Sequence, residues 1–597
     1  MKKNILLLSI LFLPFVLFSQ NKTIEINWGV TEKSMQGASS TENKASKSNS
    51  KSATQLLDLL IDQEMLFVEQ WQDIRLAEEG SLAVSDIVYK PLTTSEIKKI
   101  DKNLIADQHT YYLGSGKARD TYYTSVSINP IIRINGVYKK ISSFTLSYQY
   151  KNYERAAQRI PITNSVLATG DWYKFKIEQT GVHILNKSFL NSIGMNTDGI
   201  DPRTIKVYGN GGKALPFKNI DNTVFDLVEN SIQVVGELDG SFDTNDFVLF
   251  YGTNAEGYQG ANFDTNINPY SDESYYYVTV DGGPGNRVQA MQEPSGNVTK
   301  IIDQYNRYQF IEFDKESPVK VGRRWFSNRF DIESDQTFNL NFPNIIPSQE
   351  MEVNIKVASA SETSTSMAIS VNGTSLNPLI FSPINDPFLL DSNQFSGEIP
   401  SGNENIVFNL NYNNGGNPSS IGYLDFISVD ALVQLKGVNG QLDFRWTEAA
   451  SIPGIGEYQI SSATQFSQVW DVTNPNFIVA KNNVGNSSEF SFKAVLGELR
   501  EYVAINPNDY FTPIKINRSY VANQDLKGTI FNDESGNFKD IDFVIITPAF
   551  LLQAALKLAD HRATADGINV KVVTTDKIFE EFSSGKQDIA AIRNFVR

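Results

Sequence analysis

The residues able to do chemistry are few. Histidine occurs only at His109, His183 and His561, and the 597 residues contain no cysteine. A thiolate nucleophile, a thiolate metal site and a disulfide frame are thereby excluded within this sequence. No two histidines stand at metal-binding spacing, and neither HExxH nor GxSxG occurs. His561 falls in a predicted helix, where a surface or capping role is the default. His183 falls in a strand or turn and reads as structural. One acidic run, Asp239-Gly240-Ser241-Phe242-Asp243-Thr244-Asn245-Asp246, offers Asp239, Asp243 and Asp246 as oxygen ligands for a structural Ca²⁺. It lacks the full EF-hand pattern, so a turn with solvated carboxylates is the stronger reading. Gly209–Gly212 has no following Gly-Lys-Ser/Thr, and a turn needing positive φ explains it better than phosphate binding. Gly114–Lys117 fails the P-loop test, with Tyr111 where the first Gly belongs and Ala118 in place of Ser or Thr. No complete acid–base or nucleophilic constellation is present, and no catalytic or cofactor-binding residue is assigned.

The elements that would position a site are clearest at the end of the chain. Phe543–Thr547 is a β-branched run closed by Pro548, as a buried strand requires. Leu551, Ala555, Leu558 and Ala559 recur at helical spacing, with Gly567 as a stop signal. Val570–Thr575 is a second β-branched run. Strand, helix, strand at this length predicts a parallel pair joined by a crossover helix. A further helix is expected from Asp588, with Ile589, Ile592 and Val596 on one face. Two parallel strands cannot cover their own faces, so Arg597 reads as a truncation point within an α/β domain. An uncovered apolar face and a bare strand edge are expected there.

Charge and targeting narrow the class. The net charge of −16 argues against nucleic acid as a partner, which needs clustered Lys and Arg. Residues 1–20 read as a secretory signal: Lys2 and Lys3, then an apolar stretch from Ile5 to Phe18 interrupted by Pro14, then an imperfect cleavage site at Ser19-Gln20. The stretch is short for a membrane span, although a retained anchor stays open, and no later segment approaches a membrane helix. The mature chain is therefore expected to be exported without a transmembrane helix.

Between the two ends the chain reads as β-rich. A low-complexity insertion fills 31–54. Gln55–Gln72 suits either a helix or two strands and a turn. Val126–Ile134 and Val137–Ser147 flank Asn135-Gly136, a strong hairpin signal. Trp172–Ile177, Arg203–Tyr208, Phe247–Tyr251 and Tyr275–Val280 read as strands, and Asn186–Ile193 as a short helix. Short strands separated by Asn, Gly and Pro then argue for β-sandwiches. The predicted organisation is 1–20 signal, 21–165 β-rich with the insertion, 166–300 β-rich, 301–436 β-sandwich, 437–531 small immunoglobulin-like sandwich, and 540–597 the opening of an α/β domain.

Ordered motifs add a resemblance. G-D-W-Y-K-F at 170–175, K-V-Y-G-N-G-G at 206–212 and E-N-S-I-Q-V-V-G-E-L-D-G-S-F-D-T-N-D-F-V-L-F-Y at 229–251 are followed by Gly322–Phe330, Val469–Pro475 and Asn523–Leu526. This series resembles the gingipain-related sortases of the Bacteroidetes type IX secretion system. The 540–597 stretch resembles the opening of their caspase-like catalytic domain. The resemblance implies a cysteine peptidase and transpeptidase whose His and Cys lie on later strands, downstream of Arg597, so that the present chain is inactive alone. It further implies cargo proteins with C-terminal secretion signals as substrates, other secretion subunits as partners, attachment of cargo to surface lipopolysaccharide, and an outer-membrane or cell-surface location. No cofactor is implied. The rival reading is a non-catalytic exported surface protein whose β-sandwiches bind glycan or protein.

Overall fold

The computed structural model describes residues 19–28, 30–31, 54–55, 67–100, 102, 105–118, 121–134, 136–150, 164–257, 264–318, 324–347, 349–384, 389–533 and 535–597. Most of the predicted signal, the insertion and the first part of Gln55–Gln72 fall outside them. The chain divides into two compact units, Met1–Ile160 and Pro161–Arg597.

The first unit is built mainly from two antiparallel sheets, beside a short pair of Val30–Thr31 with Thr54–Gln55. Ser19–Glu25, Val137–Gln149, Ala83–Pro91 and Ile131–Ile134 form one, and Phe67–Asp73, Thr121–Ile128 and Tyr111–Ala118 the other. Ile24, Ile141, Phe144 and Leu146 from the first meet Val126 and Ile128 from the second in a shared core. The end of Gln55–Gln72 is thus strand rather than helix. Val126–Ile134 is not continuous either. Pro130 lacks a ladder donor, and the chain leaves one sheet at Ile128 and enters the other at Ile131. The expected hairpin follows, with Ile134 opposite Val137 and Gly136 at φ 77°.

In the second unit, Trp172–Ile177 lies between Ser274–Thr279 and Ile514–Val521 in a five-stranded sheet. A three-stranded sheet of Gly181–Asn186, Phe247–Gly252 and Ile232–Val235 packs against it around Phe175, Leu185, Val207 and Phe250. The predicted short helix is Lys187–Ser192, capped by the Asn186 side chain on the Phe189 N–H. Pro202–Thr204 forms a helical turn, so the strand predicted from Arg203 begins at Lys206.

A ten-stranded sheet then runs from Gln289–Ala290 to Asp391–Pro400. Its central strands Gln304–Glu312, Ile421–Gln434 and Glu350–Ala360 pair antiparallel. A five-stranded sheet containing Asp335–Asn341, Asn405–Asn413 and Thr365–Val371 covers one part, and a three-stranded sheet of Lys300–Ile302, Gly454–Ile460 and Phe490–Leu496 covers another. One core extends from Ile302 to Ala504. The predicted limit at Gly437–Gly440 therefore falls inside a single sheet, where Asn306 pairs with Arg445. The predicted 437–531 sandwich also gives its last strand, Ile514–Val521, to the Trp172–Ile177 sheet.

The terminal α/β segment has the expected parallel pair, Phe543–Thr547 with Val570–Thr574, joined by the helix Leu552–Asp566 that ends on Gly567 at φ 67°. A helix at Thr575–Phe582 went unpredicted. The last helix, Ile589–Val596, is capped by Asp588, but the expected apolar face is only partly the buried one: Ile592 packs against the core, while Ile589 is 61% exposed and Val596 68%. Ala590, Ala591 and Asn594 face inward instead. The two last helices pack on Val573, Leu215, Leu526 and Ile530, so the segment's apolar surface is covered in part by the β-rich body.

Candidate functional site

One cluster of buried ionisable groups lies where residues 575–597 meet the β-rich body. The surface they meet begins at the Gly209–Gly212 turn. Gly211 has φ 75°, and a Cβ there would lie 2.1 Å from Thr253 Oγ1; at Gly212 it would lie 2.4 Å from the Asn254 main chain. Close backbone approach, not phosphate binding, is what these glycines serve. The turn holds its shape through Asn210, whose side chain donates to Asp226 O at 2.8 Å and accepts from Val228 N at 3.0 Å.

The outer side of this turn reads the C-terminal segment in order. Asn210 N donates to Ser584 Oγ at 3.2 Å, and Lys586 Nζ donates to Gly211 O at 3.0 Å. Leu215 N donates to Asp588 Oδ2 at 2.8 Å. Arg593 donates to Pro216 O at 2.9 Å and Phe217 O at 2.6 Å, and Arg597 to Asn219 O at 2.8 Å. Lys586 and Asp588 are buried. Burial draws the Lys586 amine down to about 8, against the pull of Asp588. Burial pushes the Asp588 carboxyl up, opposed by its main-chain donors Leu215 and Ala590.

A second buried group lies beside the first. Glu581 accepts from Leu526 N at 2.7 Å and Gln524 Nε2 at 3.0 Å. Lys527 Nζ sits 3.8 Å from Glu581 and 3.0 Å from Asp226. Burial raises the Glu581 carboxyl and lowers the Lys527 amine. Glu580 accepts from Lys174 and from the Tyr277 hydroxyl. The N-Q-D-L stretch and the K-V-Y-G-N-G-G turn are thus two halves of one cradle. Sequence reasoning missed Glu581 and Lys586. The signal was present in Ser583-Ser584-Gly585-Lys586, a turn carrying a charge between two apolar helices, with Gly585 at φ 78° against the Tyr277 hydroxyl.

The cradle holds four carboxylates, Asp226, Glu580, Glu581 and Asp588, and three amines, Lys174, Lys527 and Lys586, in main-chain and ionic contacts. The histidines and the acidic run singled out from the sequence lie elsewhere and are not brought into one site. His183 is buried against Phe250 and Phe511, bonded to Gly181 O at 3.0 Å, and burial lowers it to about 4, so it is neutral at pH 7. His109 bridges the Tyr89 hydroxyl at 3.0 Å and Asn129 O at 2.9 Å in the first unit. His561 is exposed on the Leu552–Asp566 helix. Asp239 accepts from Ser241 N at 3.0 Å, Asp243 from Ser241 Oγ at 3.1 Å, and Asp246 from Asp243 N at 2.6 Å. Those carboxylates shape a turn, and among the described residues no group of three or more His, Cys, Asp or Glu is arranged to hold a metal ion. Among the same residues no helix is long and apolar enough to cross a membrane.

Comparison with known proteins supplies the context of the cradle. Residues 537–597 match the model of Peptidase family C25. Dimeric latent PorU from Porphyromonas gingivalis shares the fold, with a TM-score of 0.60 at 21% identity over 73% of this chain and 40% of that one. The chain thus spans less than half the length of that protein. The CBM36-1 domain of a multidomain xylanase from the hindgut metagenome of Trinervitermes trinervoides aligns at 7% identity over 21% of this chain and 96% of its own, with a TM-score of 0.15. So loose an alignment bears on neither fold nor ligand. No curated protein matches the sequence. The fold is thus PorU-like, with β-rich domains followed by a segment that matches Peptidase family C25.

Proposed function

We propose that this chain is the scaffold portion of a type IX secretion sortase, a cysteine peptidase and transpeptidase that removes the C-terminal signal from exported cargo and attaches the cargo to the cell surface. The observation that carries this reading is the cradle: the residues matching the C25 family are seated on the β-rich body by buried Lys586, Asp588 and Glu581. A surface adhesin has no use for such a seat. The sequence contains no cysteine. On this reading the catalytic Cys and His come from residues beyond Arg597, and the imidazole lowers the thiol pKa so that the thiolate attacks the scissile carbonyl. Resolution of the thioester by water gives cleavage, and by an amine gives transfer. No step is assigned to a residue of this chain. Its part is to fix the peptidase domain, to contact cargo or other secretion subunits, and to act at the outer surface after export.

The test compares this chain with an extended form that carries a complete C25 domain. Both are incubated with a model cargo, and release of the C-terminal signal is followed. The extended form should release it, its Cys→Ala variant should not, and the present chain should not. Release by the present chain at a matching rate would sink the proposal, since another nucleophile would then be responsible.

A further inference from the structure

A groove of about 770 Å³ opens between two sheet edges in the second unit, away from the cradle. One wall is Gln289–Ala290, the outermost strand of the ten-stranded sheet; the other is Phe490–Leu496, the outermost strand of the three-stranded sheet. Lys493, Ala494 and Val495 line the groove in succession. The inner side of Phe490–Leu496 pairs with Gly454–Ile460. Among the described residues no strand lies beside its outer side. The Lys493 N–H points outward, onto Glu293 Oε1 at 3.1 Å. Two-residue alternation sends the N–H of Val495 the same way. Its cross-strand neighbour Ile455 bonds instead to Thr299, with N to Oγ1 at 3.0 Å, which leaves the Val495 N–H outside the ladder.

Two residues lining the groove carry buried donors that meet no acceptor among the described residues, Arg500 Nε and the Tyr502 hydroxyl. Tyr502 is 1% exposed. Arg500 is fixed by Asp471 at 2.8 Å and by Glu498, and Asp471 is held in turn by Thr473. These are residues of the V-W-D-V-T-N-P motif and its surroundings, which the cradle does not use. The lining charges balance, Asp471 and Glu498 against Lys493 and Arg500. A charged ligand therefore finds no net field, while a neutral carbonyl would meet both free donors. Phe477 and Val495, 65% and 49% exposed, supply apolar contact at the rim.

We propose that this groove binds an extended, uncharged peptide segment of a partner protein, which adds as a strand to the outer edge of Phe490–Leu496 and places a carbonyl against Arg500 Nε and the Tyr502 hydroxyl. Strand addition draws affinity from main-chain hydrogen bonds and selectivity from alternate side chains, and a long bare edge is otherwise an aggregation hazard. Glu293 occupies one of the edge donors in the free protein and yields it to the peptide. The inference does not depend on the peptidase reading.

The test uses a blocked, dye-labelled peptide of alternating threonine and valine, with fluorescence anisotropy on the whole chain. Saturable binding is expected. Tyr502→Phe, which removes one donor, and Val495→Pro, which removes an outward N–H without touching the inner ladder, should each weaken it about tenfold, the equivalent of one net hydrogen bond. Glu293→Ala should strengthen it, and aspartate in the peptide should weaken it. Thermal midpoints guard against misfolding: Tyr502→Phe should keep or raise the midpoint, because a buried hydroxyl without a partner is lost. Absence of saturable binding, or equal affinity for wild type, Tyr502→Phe and Val495→Pro, would overturn the proposal. So would concentration-dependent dimerisation abolished by Val495→Pro, which would give the edge to a second copy of the chain.

Discussion

The sandwich core from Ile302 to Ala504 and the cradle for residues 575–597 are held by opposite means. In the sandwich, Phe444 lies within 5.2–6.3 Å of the ring centres of Tyr502, Tyr458, Tyr305 and Phe492, and the cluster has no charge at its centre. In the cradle, Lys586, Asp588 and Glu581 are buried and each is met by main-chain groups of the β-rich body. Apolar burial is non-directional and scales with area. A buried charge costs free energy unless its particular partners are in place. The sandwich is therefore built to be stable, while the cradle accepts the terminal segment in one register only.

The largest effect should come from the sandwich. Phe444→Ala should cost about 3–5 kcal/mol through lost burial and a cavity, read as a lower midpoint for the main urea transition. A loss under 1 kcal/mol would mean that the ring cluster does not carry the core. A slightly smaller and more local effect is expected from Asp588→Ala. It strands the Leu215 and Ala590 N–H groups and leaves Lys586 without its counter-charge, at about 3 kcal/mol. Limited proteolysis should then cut within residues 575–597 while the sandwich stays intact. If both regions lose protection equally, the contrast between them fails.

The smallest effect sharpens the contrast by pH. The Lys586 amine sits at about 8 in the folded protein against 10.5 when free. Between those values the unfolded chain binds more protons, so stability rises with pH. From pH 8 to pH 9.5 the cradle should gain roughly 1.5 kcal/mol. Lys586→Met should show no such gain, and hydrogen exchange of the Ile589–Val596 amides would read the difference. A gain that survives in Lys586→Met would assign it to another group.

The regular parts of this fold were legible because they follow from spacing. Phe543–Thr547, Leu552–Asp566 and Val570–Thr574 stand where β-branched runs, a helical repeat and Gly567 put them. The turn at Gly209–Gly212 was legible as a turn, and its role was not, because what it contacts lies almost the whole second unit away in sequence. The last helix shows why periodicity misleads at a seam. Ile589, Ile592 and Val596 make the obvious apolar stripe, yet of the three only Ile592 packs against the apolar cluster around Leu215 and Val573. Small Ala590 and Ala591 fit it, while Ile589 and Val596 stay exposed. Thr575–Phe582 was missed although Ile578, Phe579 and Phe582 stand at helical spacing, because it follows the strand Val570–Thr574 without a turn signal; its Glu580 and Glu581 are carboxylates that the β-rich body binds. The domain limits were illegible for a different reason. Strands far apart in sequence share sheets, and no local signal announces that Ile514–Val521 leaves the neighbouring sandwich for the edge of Trp172–Ile177.

That last pairing bears on the order in which the molecule can form. Trp172 is opposite Val521, and Ser274–Thr279 occupies the strand's other edge. A chain emerging amino-terminus first holds Trp172–Ile177 with one edge bare until Ile514–Val521 has been delivered. Loop closure over so long a stretch is slow, because its entropy is lost before the contacts repay it. The sheet is thus completed by a late strand, and the chain runs from that strand directly into Asn523–Leu526 and the cradle. Seating of the C25 segment is thereby timed to follow closure of the sheet on which it rests.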